Sequence, residues 1–219
     1  MFGKGDVGEN LVYLAVAVFV ILIVVYAVFF SGRDLTPAYV PDDFLVDGWS
    51  EDLLERDSGS SFFGLESWCS IVYKFDGLYP ASLTVSSYKT LFMMNEDDLR
   101  EKTMDAIVEA SGHGILVDNS SELSGERFLK NGHSTMYIIY YGNDTSKTPV
   151  ESITVIGEVW NCGVSGKSIV CIGIAQVTDN LNNNTAVNTT SWSKIVGDEN
   201  GVIDDLVDGD GLIYNIICH

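Results

Sequence analysis

The sequence predicts an α+β protein, with an N-terminal transmembrane helix followed by an extracytoplasmic domain that has a mainly antiparallel sheet and one principal helix. Three observations predict it. Residues 11–30, beginning at Leu11 and ending at Phe30, contain no charge, amide, Gly or Pro. Beyond residue 60, runs rich in β-branched and aromatic residues recur between turn signals, as strands do. One segment after Asn95 carries its apolar residues at helical spacing instead.

The apolar run sets the expected location. A twenty-residue helix measures roughly 30 Å, the thickness of a bilayer hydrocarbon core. Its Val, Leu, Ile and Phe residues each favour insertion by roughly 0.3 to 0.6 kcal/mol at the membrane centre. The run ends on bulky Phe29 and Phe30 rather than on a small-residue cleavage site, which points to an uncleaved signal-anchor. The expected division is a cytoplasmic tail at 1–10, the helix at 11–31, an acidic stalk at 32–61 and the domain at 62–219. Pro37, Pro41, a run of acids and Ser58-Gly59-Ser60 give the stalk its linker character.

Within the domain, 67–75 and 82–94 read as strands separated by Asp76-Gly77 and Pro80. The helix follows. Asn95 is an N-cap, Glu96, Asp97 and Asp98 place negative charge on the first turn, and Gly112 is a stop. Leu99, Thr103, Ala106, Ile107 and Ala110 form the stripe that faces a sheet. Glu96–Arg100 and Asp98–Lys102 are expected as i, i+4 pairs on the wet face. A short strand at 114–117, a loop or helical turn at 124–130, and strands at 135–141, 152–160, 168–177 and 212–218 complete the reading. Strands on both sides of one helix make the class α+β.

Charge excludes one class of partner. The chain carries 31 acids and 12 bases, a net of −19, and only Asp6, Glu9 and Asp34 among the acids precede residue 35. Such a surface repels phosphate backbones, so no nucleic acid is expected as a partner. Lys4 precedes the apolar helix and mostly acids follow Arg33, which favours an internal N-terminus and an external C-terminal domain. The even number of cysteines agrees, as do N-x-S/T sequons at Asn119, Asn143, Asn183 and Asn188, taken as candidate glycosylation sites. The expected location is therefore the cell membrane, single-pass, with the membrane contacted through 11–30.

Two resemblances follow from these residues. Lys4-Gly5-Asp6-Val7 before an apolar helix resembles the class III leader of archaeal type IV pilins. In that family a peptidase cuts after the Gly and the helix packs into a filament core. Glu9 stands one residue earlier than in the commonest pilin pattern. The arrangement of anchor, acidic stalk and cysteine-bearing domain also resembles membrane-anchored archaeal surface proteins, a resemblance that carries no activity with it.

The four cysteines are Cys69, Cys162, Cys171 and Cys218, without CxxC spacing. If Gly166-Lys167 forms a two-residue turn, Cys162 and Cys171 stand opposite each other at a separation that allows a disulfide. Cys69 and Cys218 then remain as a second pair joining the first and last strands. A turn centred on Ser165-Gly166 shifts the register and spoils the first pair. A hydrolase reading would join Cys69 or Cys218 to His113 or His133, yet no G-x-S-x-G, HExxH, P-loop or Rossmann fingerprint is present, so no catalytic residue is assigned. Ser165 belongs to a hairpin tip. His113, His133 and His219 are scattered, and a zinc site requires them to converge.

Acidic loops near residue 200 are the candidate cation ligands, with Asp198, Asn200, Asp204, Asp208 and Asp210 offering hard oxygens between turn-forming glycines. The EF-hand pattern fails, since position six counted from Asp198 is Ile203. The acids are therefore read as solvated turns and no cofactor is expected, with an irregular calcium site as the alternative. The functional expectation is a membrane-anchored extracytoplasmic binding or structural domain, or a subunit of a surface assembly with a protein partner. The alternatives are a pilin-like filament subunit and a membrane-tethered hydrolase.

Overall fold

A strand sends successive side chains to opposite faces of its sheet, so alternating burial over 69–73 and 81–85 marks strands with one covered face, and near-continuous burial over 153–160 and 167–173 marks strands covered on both. The computed structural model describes residues 7–30, 35–61, 66–90, 93–111, 114–118, 122–180, 186–197 and 211–219, with the side chains of 7–12, 25–30, 110 and 111 excepted. Eight strands form one antiparallel sheet: β1 (Trp49–Ser61), β2 (Glu66–Phe75), β3 (Ala81–Lys89), β4 (Ile115–Val117), β5 (Leu123–Phe128), β6 (Ser134–Asp144), β7 (Glu151–Cys162) and β8 (Lys167–Gln176). The order across the sheet is β1-β2-β3-β8-β7-β6-β4, and β5 also pairs with β6.

Both faces of the central strands are covered. On β7 and β8, Ile153, Val155, Val159, Val170 and Ile172 pack with Leu99 and Ile107 of α2 (Glu96–Ser111). Ile156, Trp160, Cys162, Ile169 and Cys171 point to the other face, under Trp192 and Ile195 of α3 (Thr190–Val196) and the closing segment 211–219. One glycine admits each helix. A Cβ on Gly157 would collide with Thr103 of α2, and one on Gly173 would meet Ile195 of α3 at 2.6 Å.

The expected fold class is corrected on two points. Among the described residues the protein is mainly an eight-stranded antiparallel sheet with three α-helices, rather than a sheet with one principal helix. The transmembrane helix is not retained. Helix α1 runs Val7–Phe30, but its side chains are described only over 13–24, about 18 Å of helix at 1.5 Å per residue. Among the described residues, no helix is long and apolar enough to cross a membrane. Every large apolar side chain from Tyr13 to Val24 is exposed.

Other local expectations also change. Much of the expected stalk at 32–61 is edge strand β1, and Ala38 and Val40 are buried in the core. A bulge between Asp52 and Asp57, with Leu54 fully out in solvent, gave this strand the pattern of a linker. Asp52 and Glu55 bind Lys74 of β2 at 2.9 and 2.8 Å, and such charged, bulged edges resist pairing with another chain. Residues 123–128 form β5 instead of a loop. The expected last strand is a 3-10 turn, Ile213–Asn215, followed by a two-way hydrogen-bonded bridge between Ile217 and Tyr39.

Helix α2 starts as expected and pairs differently. The Asp98 N–H donates to Asn95 Oδ1 at 2.9 Å while the Asn95 N–H donates to Asp98 Oδ2 at 3.2 Å, a reciprocal cap. Arg100 binds Glu122 and Lys102 reaches Glu66, so the expected i, i+4 pairs are replaced by contacts to neighbouring segments.

The face under α3 also holds a buried ion pair. Arg127 of β5 donates from Nε and Nη2 to the two Glu158 oxygens at 2.9 and 2.6 Å, with side chains 5% and 0% exposed. Thr135 Oγ1 donates to Glu158 Oε1 at 2.6 Å, and Arg127 Nη1 donates to the Val196 carbonyl at the end of α3. Arg127→Met leaves Glu158 without its cation and is expected to cost about 3 to 5 kcal/mol, whereas Arg127→Met with Glu158→Leu recovers most of that loss. Chemical denaturation of the single and double variants checks this. Gly173→Val is expected to cost about 1 to 3 kcal/mol by overpacking against Ile195, read the same way.

Candidate metal centre

Three segments far apart in sequence meet at one end of the sheet. The first is the turn from β5 to β6. Gly132 adopts φ +81°, the left-handed region that favours glycine, and its N–H donates to the Leu129 carbonyl at 2.8 Å. Asn131 Oδ1 accepts the His133 N–H at 3.1 Å, which fixes the imidazole-bearing residue at the start of β6. The second is the end of β7, where Cys162 stands opposite Lys167 and its carbonyl accepts the Gly166 N–H at 2.8 Å. The third is the closing segment, which brings Cys218 and His219.

Polar contacts lock the segments together. Asn131 Nδ2 donates to the Ile216 carbonyl at 3.1 Å and Lys130 Nζ to Asn215 Oδ1 at 3.2 Å. Lys167 Nζ, on a buried side chain, donates to the carbonyls of Thr36 at 2.7 Å and Cys218 at 3.3 Å.

The result is a cluster of two thiols and two imidazoles. His133 Nε2 lies 3.3 Å from Cys218 Sγ, and His219 Nδ1 lies 3.6 Å from both Cys162 Sγ and Cys218 Sγ. The four candidate ligand atoms are all within 4.8 Å of one another. The imidazole rings meet edge to face with centroids 5.8 Å apart. Both thiols are buried, His133 is half-buried and His219 is exposed, so the sulfurs face the core and the imidazoles the solvent. This His/Cys cluster could bind a metal ion.

The electrostatics of the two thiols are linked. Burial pushes the Cys162 thiol up, but hydrogen bonds from Cys218, Ser165 and His219 outweigh it and bring it down to about 7. Burial, reinforced by the neighbouring Cys162 sulfur, pushes Cys218 up to about 12, against the pull of Trp160 and Lys167. One proton is thus shared between two sulfurs. Burial and then His219 lower His133, which favours the neutral imidazole that metals take. The Trp160 indole N–H is buried and without a hydrogen-bond partner among the described residues, and its nearness to Cys218 helps to stabilise a thiolate there.

The expected disulfides are corrected. All four cysteines are free. The hairpin turn spans the four residues 163–166, which places Cys171 opposite Glu158 and Cys162 opposite Lys167, so the proposed Cys162–Cys171 pair is out of register. Cys69 lies opposite Ser58 and Ser87, with its Sγ 3.6 Å from the Leu35 carbonyl, and it is not bonded to Cys218. The hydrolase pairing of Cys218 with His133 has the required proximity. Its thiol, however, is shifted away from the thiolate that a nucleophile needs.

Other expected sites fall elsewhere. Asp198, Asn200, Asp204, Asp208 and Asp210 lie outside the described residues, as do His113, Asn119 and Asn183. Asn143 is exposed on β6, while half-buried Asn188 accepts the Thr190 N–H at 2.9 Å. Of the histidines scattered through the sequence, His133 and His219 converge. The available signal was the adjacent Cys218-His219 pair together with an Asn-Gly-His turn.

For the metal-free, reduced protein the thiol shifts set a pH profile. A depressed Cys162 adds stability as pH rises from about 7 towards the ordinary 9.0. A raised Cys218 removes stability as pH climbs from 9.0 towards about 12. Melting temperature is therefore expected to peak near pH 9.0, and Cys162→Ser is expected to abolish the rise on the acid side, as followed by circular dichroism. No protein-family model, curated protein or solved structure matches the chain.

Proposed function

We propose that the protein is a binding or structural domain whose closing segment is fastened to its sheet by one zinc ion, held by His133, Cys162, Cys218 and His219. The ligand spacing carries the reading. A tetrahedral zinc with Zn–S near 2.3 Å and Zn–N near 2.05 Å sets its sulfurs and nitrogens about 3.5 Å apart. Three of the four sulfur–nitrogen separations are 3.3, 3.6 and 3.6 Å, and all four ligand atoms lie within 4.8 Å of one another. Two thiolates and two imidazoles form a Cys₂His₂ donor set, which suits zinc over hard cations.

Four protein ligands leave no open position for substrate, so the ion is structural rather than catalytic. Fastening is useful where the ligands sit. The segment 211–219 is held by the Tyr39–Ile217 bridge, by single backbone hydrogen bonds from Leu212 to Lys194 and from Lys130 to Tyr214, and by side-chain contacts rather than by a full strand pairing.

The surroundings of the domain belong to the same proposal. The apolar surface of α1 over 13–24 would bring the domain to a lipid surface, with the acidic sheet domain on the outer side as a binding or surface-assembly module. Flotation of the full chain with neutral phosphatidylcholine vesicles, against a variant with Asp at Leu14, Val18 and Leu22, tests the association. Equal recovery of both with the vesicles would overturn it.

Titration of the reduced protein with Co²⁺ followed by Zn²⁺ is expected to show one site per chain, with tetrahedral d–d and thiolate charge-transfer bands that zinc abolishes. His133→Ala or Cys162→Ser is expected to weaken binding by more than the about 10- to 100-fold that outer-sphere changes cost. Zinc at one hundred times its Kd is expected to stabilise the fold by about 2.7 kcal/mol, and chelator to reverse the gain. A featureless cobalt spectrum and a melting temperature indifferent to chelator would sink the proposal.

A further inference from the structure

We infer that Cys162 and Cys218 are an oxidation site, forming a disulfide with each other when the centre holds no metal, so that oxidation and metal binding exclude one another. The inference rests on the metal reading for the exclusion, and on geometry alone for the pairing.

The two sulfurs are free and lie within 4.8 Å of each other. Neither of the remaining cysteines belongs to the cluster. Cys171 lies opposite Glu158 and Val85 in the middle of the sheet, and Cys69 lies opposite Ser58 and Ser87 on β2 and contacts the Leu35 carbonyl. Bringing the sulfurs to the bonded distance of about 2.05 Å requires a shift of under about 3 Å. Rotation of the two cysteine side chains with a small movement of the closing segment supplies that shift; beside Cys218 the backbone is tied by the Ile217–Tyr39 bridge and single side-chain hydrogen bonds, while Ile216 packs in the core. Cys162 sits at the last position of β7, beside the hairpin turn, and not in mid-ladder. The exposed His219 marks the solvent side, through which a small oxidant reaches the buried sulfurs.

The step balances with a peroxide. The Cys162 thiolate attacks one peroxide oxygen and the O–O bond breaks, giving a sulfenic acid and hydroxide. Cys218 sulfur then displaces the sulfenic oxygen, which leaves as water with the remaining protons. Two sulfurs are oxidised by one equivalent of hydrogen peroxide reduced to water. In the zinc-loaded centre both sulfurs donate their lone pairs to the ion and the reaction requires its release.

The test treats full-length protein with hydrogen peroxide, with and without zinc, and maps cysteines by peptide mass spectrometry. The metal-free protein is expected to lose two hydrogens and yield one Cys162–Cys218 cross-linked peptide, a product that Cys218→Ser eliminates and Cys171→Ser leaves intact. With zinc at ten times its Kd the free fraction is about one in eleven, so cross-linking is expected to slow roughly tenfold. Linkage through Cys69 or Cys171, or sulfinic acids without any cross-link, overturns the pairing. Equal rates with zinc bound, as verified by cobalt displacement, overturn the exclusion. A protein that fails to take up cobalt or zinc overturns the metal reading and the exclusion with it, while the peptide map still decides the pairing.

Discussion

The placement of Glu158 constrains most of the domain. A carboxylate at the centre of a fully covered sheet face is far too costly to bury alone, so the sequence must deliver a cation and further donors to the same point. Arg127 from β5 and Thr135 from β6 do this, and the third guanidinium donor satisfies the last carbonyl of α3. The pair therefore couples three strands and a helix. It fixes where α3 ends, with Gly197 closing the helix in the left-handed conformation at φ +89°. From that end the chain returns through residues 211–219, with Leu212 hydrogen-bonded back to Lys194. The His/Cys cluster lies at the far end of that return, so its geometry inherits the position of α3.

A second consequence concerns how two buried charges are treated differently. Glu158 has a buried cation partner, whereas Glu151, also buried, is held by the Thr178 hydroxyl at 2.8 Å and by the Asn180 N–H at 2.9 Å. Both carboxylates belong to β7, the most deeply buried strand, and each anchors a segment that crosses its end of the sheet. Lys167 plays the matching part beside the thiols, where its ammonium group meets two carbonyls instead of an acid. Its charge favours the thiolate at the neighbouring Cys218.

Strand positions were legible because burial on two faces still leaves β-branched and aromatic runs, as in 67–75 and 152–160. The cap at Asn95 and the Leu99, Thr103 and Ile107 stripe were legible for the local reason that helix ends and helix faces obey short-range spacing. The rest depended on distance. Edge strand β1 looked like a stalk since an edge needs few apolar residues, and 212–218 looked like a strand since a buried 3-10 turn is equally apolar. The cysteine register turned on whether two or four residues made a turn, a difference that a Gly-Lys pair does not decide. The centre itself had no readable motif, because its ligands come from residues 133, 162, 218 and 219 rather than from one short repeat. The apolar run at 11–30 shows the opposite limit. Composition gave it a strong membrane signal, while among the described residues no helix is long and apolar enough to cross a membrane.

The separation of those residues also makes their meeting depend on long-range contacts. His133 is placed by the β5–β6 turn and Cys162 by the pairing of β7 with β8. Cys218 and His219 are placed by the closing segment, which docks beside Tyr39. Contacts of such long sequence separation must each overcome the entropy of a large loop. The four side chains therefore stand together only where the sheet is complete and the closing segment is docked on it.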